Sequence, residues 1–208
     1  MYPELKGLDF EQLKERFEGD PQDGPLYYRV YYDEVALGIR ERGGREGIEY
    51  LLRCATGRDV RRIPSALTAL TVPTDSRNPE EIASVLLGHF DHEDEQVAAA
   101  AIRGWGYFTA DARHRLLEAL RDPRPLVRAA VIIALGASFV PVSLVADALK
   151  DPDRLVRMAA IDVLDELGAI EFLPDVEELK SDSDDDVRQA AETFLRNRQD
   201  ETDEAGPS

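Results

Sequence analysis

Three stretches of the C-terminal half are copies of one another: DPRPLVRAAVIIAL from Asp122, DPDRLVRMAAIDVL from Asp151 and DSDDDVRQAAETFL from Asp182. Each reads Asp, four variable residues, Val-Arg, one residue, Ala followed by Ala or Val, three residues, Leu. Taken as markers, Val127, Val156 and Val187 are spaced by 29 and 31 residues, and Val97 lies another 30 upstream within a more divergent copy that holds Ala100, Ala101 and Trp105. A fifth copy starts at Asp59-Val60-Arg61, where Pro64 interrupts it. Self-similarity at such a period constrains the fold more than any single motif, because it marks a chain built from stacked supersecondary units.

The unit is a helical hairpin. Val127, Ala130, Val131, Ala134 and Leu135 recur on one face of a 3.6-residue helix, and alanine at its centre lets neighbouring helices approach closely. Phe90, Leu120 and Leu149 stand seven positions before the marker valines, and Leu86, Leu116 and Val145 four earlier again, which makes a second apolar stripe on a preceding helix. Pro123 and Pro152 stop the first helix of their units, Gly136 and Gly168 are placed to end the second, and Asn78-Pro79-Glu80-Glu81 has the form of a capping box with proline at the first helical position. One hairpin cannot bury both stripes, whereas stacked hairpins bury them in a continuous core.

This pattern resembles HEAT repeats, and its length near 30 residues resembles the short class of the phycobilisome lyases. The resemblance implies an all-α fold: a right-handed α-α superhelix of four to five helical hairpins with N-terminal capping helices. Residues 79–197 then hold four HEAT-like repeats, 46–78 a degenerate first repeat and connection, and 1–45 capping helices at 8–17 and 26–42. Residues 198–208 are polar and acidic with no apolar stripe, so they are expected to be a disordered tail.

Charge narrows the partners. The chain carries 42 Asp and Glu against 25 Lys and Arg, a net charge of -17, which repels phosphate backbones and argues against nucleic acid. Only Lys6, Lys14, Lys150 and Lys180 are lysines. High Asp and Glu with few lysines resembles the proteins of salt-loving archaea and some GC-rich bacteria, so the acidity fits either solubility in concentrated salt or a basic protein partner. Cys54 is the lone cysteine, which rules out an intramolecular disulfide. No apolar run approaches the roughly 20 residues that cross a bilayer, and Met1-Tyr2-Pro3-Glu4 is unlike a signal peptide. A cytoplasmic protein that binds no membrane is expected.

Few residues invite chemistry. In HEAT-like stacks the recurring arginine pairs with a turn aspartate of its own or the adjacent repeat, so Arg128, Arg157 and Arg188 with Asp122, Asp151 and Asp182 read as a structural ladder. His89 and His92 have helical spacing and Glu93 follows. HEAT-like deoxyhypusine hydroxylases, however, hold iron through several His-Glu pairs at equivalent positions, and one pair here does not make that site. His114 stands alone. Cys54, within Leu51-Leu52-Arg53-Cys54-Ala55, reads as a small packed residue. No catalytic residue, metal site or cofactor is assigned. HEAT-like DNA alkylation-repair glycosylases need a basic groove, and Trp105 falls in the core column of Leu135 and Leu164.

The second helix of each repeat lines the concave side in HEAT-like solenoids, which singles out two columns: Ala99, Ala129, Met158, Gln189 and Arg103, Ile133, Asp162, Thr193. If these face solvent, Ala129, Ile133 and Met158 form an apolar centre rimmed by Arg103, Asp162, Asp165 and Arg196, a composition that suits a protein partner. If the helix phase is off by one position, Ile133 is core. In the N-terminal segment Tyr28, Tyr32, Val35 and Ile39 make a stripe with Tyr27 and Tyr31 beside it, available to a partner or packed onto the first repeat. The resulting expectation is a non-enzymatic adaptor or scaffold for a protein of unstated identity, its oligomeric state undetermined. The alternatives are a bilin lyase or isomerase of the resembling class and an immunity-type inhibitor of a basic toxin.

Overall fold

The computed structural model describes residues 2–19, 28–72, 79–106, 113–137 and 141–204, and among these every regular element is a helix. The chain divides into two compact units, Met1–Phe108 and Thr109–Ser208.

The N-terminal unit begins with α1 (Phe10–Glu18), which starts at a reciprocal capping box: Asp9 accepts from the Gln12 N–H and the Gln12 side chain accepts from the Asp9 N–H. Leu13 and Phe17 bury its inner face against α2 (Tyr28–Ala55). The long helix α2 is broken at Gly44, whose φ of 52 and ψ of -124 lie in a region open to glycine and strained for other residues. Three further helices follow, α3 (Ile63–Thr71), α4 (Pro79–Gly88) and α5 (Glu95–Trp105), with α3 packed on both α2 and α5.

Tyr31, Tyr32, Val35 and Ile39 are buried, and Phe17 meets the rings of Tyr32 and Tyr50 edge to face. The aromatic stripe is therefore spent on packing at these positions. Tyr27 and Asn78 fall outside the described residues. Pro64 does not interrupt a helix as the sequence suggests; it sits in the first turn of α3, where a missing N–H costs nothing.

The C-terminal unit contains α6 (Arg113–Ala119), α7 (Pro125–Gly136), α8 (Ser143–Asp147), α9 (Arg154–Glu166), α10 (Leu173–Glu178) and α11 (Asp185–Glu204). α7 packs on α9 and α9 on α11, and the columns Val127, Val156, Val187 and Leu135, Leu164 are buried. A side chain on Gly136 would run into Val163, so this glycine sets how closely α7 and α9 approach. Gly168, at φ 63, ends α9 in a Schellman arrangement, with the Ala169 N–H on the Leu164 carbonyl at 3.0 Å and the Gly168 N–H on the Asp165 carbonyl at 3.1 Å.

One boundary differs from expectation. The helix α11 continues through Glu204, so of the tail expected to be disordered residues 198–204 are helical and 205–208 lie outside the described residues. Arg198 pairs with Asp165 and lies over the Phe194 ring, which anchors the turn in which the apolar stripe runs out.

Candidate functional site

The turn before each second helix of the C-terminal unit is built the same way. Oδ1 of Asp122, Asp151 and Asp182 accepts the backbone N–H two residues on, at 2.8, 2.8 and 2.9 Å. Arg128 then grips Asp151 of the next repeat with two parallel bonds of 2.9 and 2.8 Å while its third nitrogen donates to the Asp122 carbonyl at 2.9 Å. Arg157 does the same to Asp182 at 2.8 and 2.7 Å and to the Asp151 carbonyl at 2.9 Å. Burial by itself would push the Asp151 and Asp182 carboxyls up, but the bonds from Arg128 and Arg157 and from the turn N–H groups outweigh it and hold both below the usual carboxylate range.

The ladder changes at its two ends. Arg188 donates to the Asp182 carbonyl at 2.7 Å and pairs with Asp185 of its own helix. Asp122 is held by Arg124 within its turn, at 2.8 Å. In the α4–α5 hairpin, His92 stands where the aspartate does elsewhere, and its Nδ1 accepts the Asp94 N–H at 3.0 Å. The His89 ring faces the Ala55 carbonyl at 2.9 Å, and burial lowers its pKa. Among the described residues no group of three or more His, Cys, Asp or Glu is arranged to hold a metal. Cys54 is half-buried, and burial raises its thiol pKa.

With these groups committed to structure, a groove of about 320 Å³ lies between α9 and α11. Met158 and Ala190 give it an apolar floor, with Ile161 and Phe194 buried directly beneath, and Asp162, Asp165 and Asp186 give it an acidic rim. The local fold explains the arrangement: residues 158, 161, 162 and 165 of α9 and 186, 189, 190 and 193 of α11 each follow the i, i+3, i+4, i+7 spacing of one helix face.

Of the residues chosen from sequence, Met158, Asp162 and Asp165 meet in this groove. Ile133 occupies on α7 the position that Asp162 has on α9, and it is 39% exposed, so the helix phase places it on the surface. Ala129 is not part of a surface: at 6% exposure it lies beneath, because α7 is packed by α6, α8 and α9 and buries most of its circumference. Arg196 is exposed on α11 and does not line the groove. Arg103 belongs to the N-terminal unit, where burial first and the nearby Arg29 second lower its pKa and Asp33 opposes them. The sequence columns missed Asp186, Ile161 and Phe194; the i, i+3, i+4, i+7 stripe, read across two adjacent copies, is the signal that finds them.

Tandem helical hairpins tied by an Asp–Arg ladder, with a groove between successive second helices, define an α-helical repeat protein of the solenoid class. The HEAT repeats family matches residues 82–141 and again 140–196, more than half of the 208 residues, and the chain belongs to that family. HEAT repeats generally mediate protein–protein interaction, and proteins made of them are typically structural scaffolds rather than enzymes. A crystal structure of an engineered protein is similar at 18% identity, with 94% of each chain covered and a TM-score of 0.45. No curated protein matches the chain significantly. No helix among the described residues is long and apolar enough to cross a membrane.

Proposed function

We propose that the chain is a non-enzymatic adaptor or scaffold that takes a protein partner on the face formed by α7, α9 and α11. The observation that carries this reading is the α9–α11 groove, whose apolar floor and polar rim have the composition of a protein interface, with Ile133 exposed at the equivalent position of α7. The tagged chain, used to capture its partner from the native host in matching salt, tests it. One dominant protein is expected, lost on Ile133→Asp or Met158→Asp; a pigment, nucleic acid or the same proteins with the variants would overturn the reading.

The net charge of -17 favours a second reading within the same class, an inhibitor of a basic protein. Its mark is an association rate that collapses as salt is added.

A further inference from the structure

The charged residues that line the α9–α11 groove are all aspartates. Two of them are already answered from within the chain. Asp165 pairs with Arg198 and accepts from Asn197, and Asp186 pairs with Arg154 at 2.6 Å. Asp162 has no hydrogen bond or ion pair with any described residue. Asp162 is exposed, but partial desolvation at the groove raises its carboxyl pKa, and Glu166 and Asp165 raise it further. The groove thus carries one carboxylate that is crowded by like charge and lacks a cation.

The chain itself shows what such a place accepts. Arg198 lies with its guanidinium 5.4 Å from the Phe194 ring centre while it pairs with Asp165, so one edge of the groove already holds an arginine between an aromatic face and an aspartate. Asp162, one turn away on the same face of α9, has the aspartate and the apolar floor without the guanidinium. We propose that the groove is a docking site for a partner-protein segment that inserts one arginine or lysine, its stem against Met158 and Ala190 and its cation on Asp162. This assignment rests on the adaptor reading above. A long basic side chain suits the place because its methylenes cover apolar surface while its head stays with the charge. The volume, near the lower limit of ligand-sized pockets, admits one such side chain and an apolar neighbour.

The test is a titration of the full-length, 15N-labelled chain with the peptide acetyl-Gly-Leu-Arg-Leu-Gly-amide, followed by two-dimensional NMR at low salt. Saturable shifts are expected at the amides of Met158, Asp162 and Thr193, with about fivefold weaker binding when citrulline replaces the peptide arginine, the scale of one partly exposed charge pair. Asp162→Asn should weaken binding by a similar factor, and because it removes a repelled carboxylate it leaves the fold intact. Equal binding of the arginine and citrulline peptides, indifference to Asp162→Asn, or spermidine producing the same shifts as strongly as the peptide would overturn the proposal. Partner capture separates the two readings. A partner lost on Met158→Asp but kept on Asp162→Asn leaves the adaptor and removes the groove assignment, whereas peptide binding with no capturable partner does the reverse.

Discussion

Both units use arginine to tie helices together, but they choose different acceptors. In the N-terminal unit the reach from helix to helix ends on backbone carbonyls: Arg40 on Ala69, Arg42 on Leu5 and Leu8, and Arg62, which also pairs with Asp59 beside it, on Phe17, Glu18 and Gly19. Each solution occurs once. In the C-terminal unit the same task is done by Arg128 and Arg157, each of which holds a carbonyl of its own turn and a carboxylate of the next. The carbonyls used in the N-terminal unit lie far along the chain at positions that do not recur, while the added carboxylate recurs from turn to turn and sets the register between copies, so only the second arrangement propagates.

Breaking the ladder should have the largest effect. Arg157 and Asp182 expose only 11% and 8% of their side chains, and removing one member of so enclosed a pair strands the other. Arg157→Ala is expected to cost about 3 kcal/mol, read by urea unfolding with unchanged helical content at low denaturant. A double-mutant cycle with Asp182→Ala should recover a large part of that loss. Additive losses would show that the pair does not couple the repeats.

Arg62→Ala probes the other kind of clamp. It leaves the C-terminal carbonyls of α1 without their donor and removes a cation placed where the helix dipole favours one. The expected cost is about 2 kcal/mol, confined to the N-terminal unit, with faster amide exchange in residues 10–18 and unchanged protection in α9. Spread of the loss into α9 would deny that the two kinds of clamp act separately.

Acid distinguishes the acceptors without mutation. The carboxyls of Asp151 and Asp182 are held low in the folded chain. The stability they contribute is therefore fully present above the unfolded value near pH 3.9 and is lost as pH falls through the folded values. The carbonyl clamps do not titrate. The pKa of His89 is also lowered, by burial, and the folded state again binds fewer protons than the unfolded one. The N-terminal unit should thus weaken earlier and mildly as pH falls through about 6.5, and His89→Gln should abolish that step. Proteolysis across pH 7 to 3 reads both windows, and the ladder turns should open only in the lower one.

How much of this could be read in the chain differs between the same two regions. The ladder was legible because Asp122, Asp151 and Asp182 recur with Arg128, Arg157 and Arg188, a pattern printed three times for two bridging pairs, Arg128–Asp151 and Arg157–Asp182. The clamps of Arg40, Arg42 and Arg62 were invisible, since a backbone acceptor leaves no mark on residue identity. In the groove, Met158 and Asp162 were found by column, whereas Ala129 was misplaced because a column position says nothing of how many neighbours press on that helix. Asp186, Ile161 and Phe194 were overlooked because they flank the two chosen columns, and a groove between two helices takes in neighbouring positions of each. They become visible only when the stripe of one copy is laid against that of the next.

The smallest effect sharpens the contrast most. Every carboxylate of the ladder is answered by an arginine, while Asp162, on the outward face of the same helices, has Glu166 and Asp165 as its nearest charges. Its pKa is raised on folding, so the stability associated with it is present below the unfolded value near 3.9 and is lost as pH rises through the folded value. At neutral pH Asp162 is therefore expected to oppose folding weakly, since it is exposed and its repulsion is screened by solvent. Asp162→Asn should raise stability by about 0.5 kcal/mol, the size of like-charge repulsion between helix neighbours three or four residues apart, and thermal unfolding at pH 7 and at pH 3 reads the difference. A gain at pH 7 that vanishes at pH 3 identifies a carboxylate that costs the fold stability unless a cation answers it. No gain at pH 7 would mean that solvent already screens Asp162 and that it needs no partner cation.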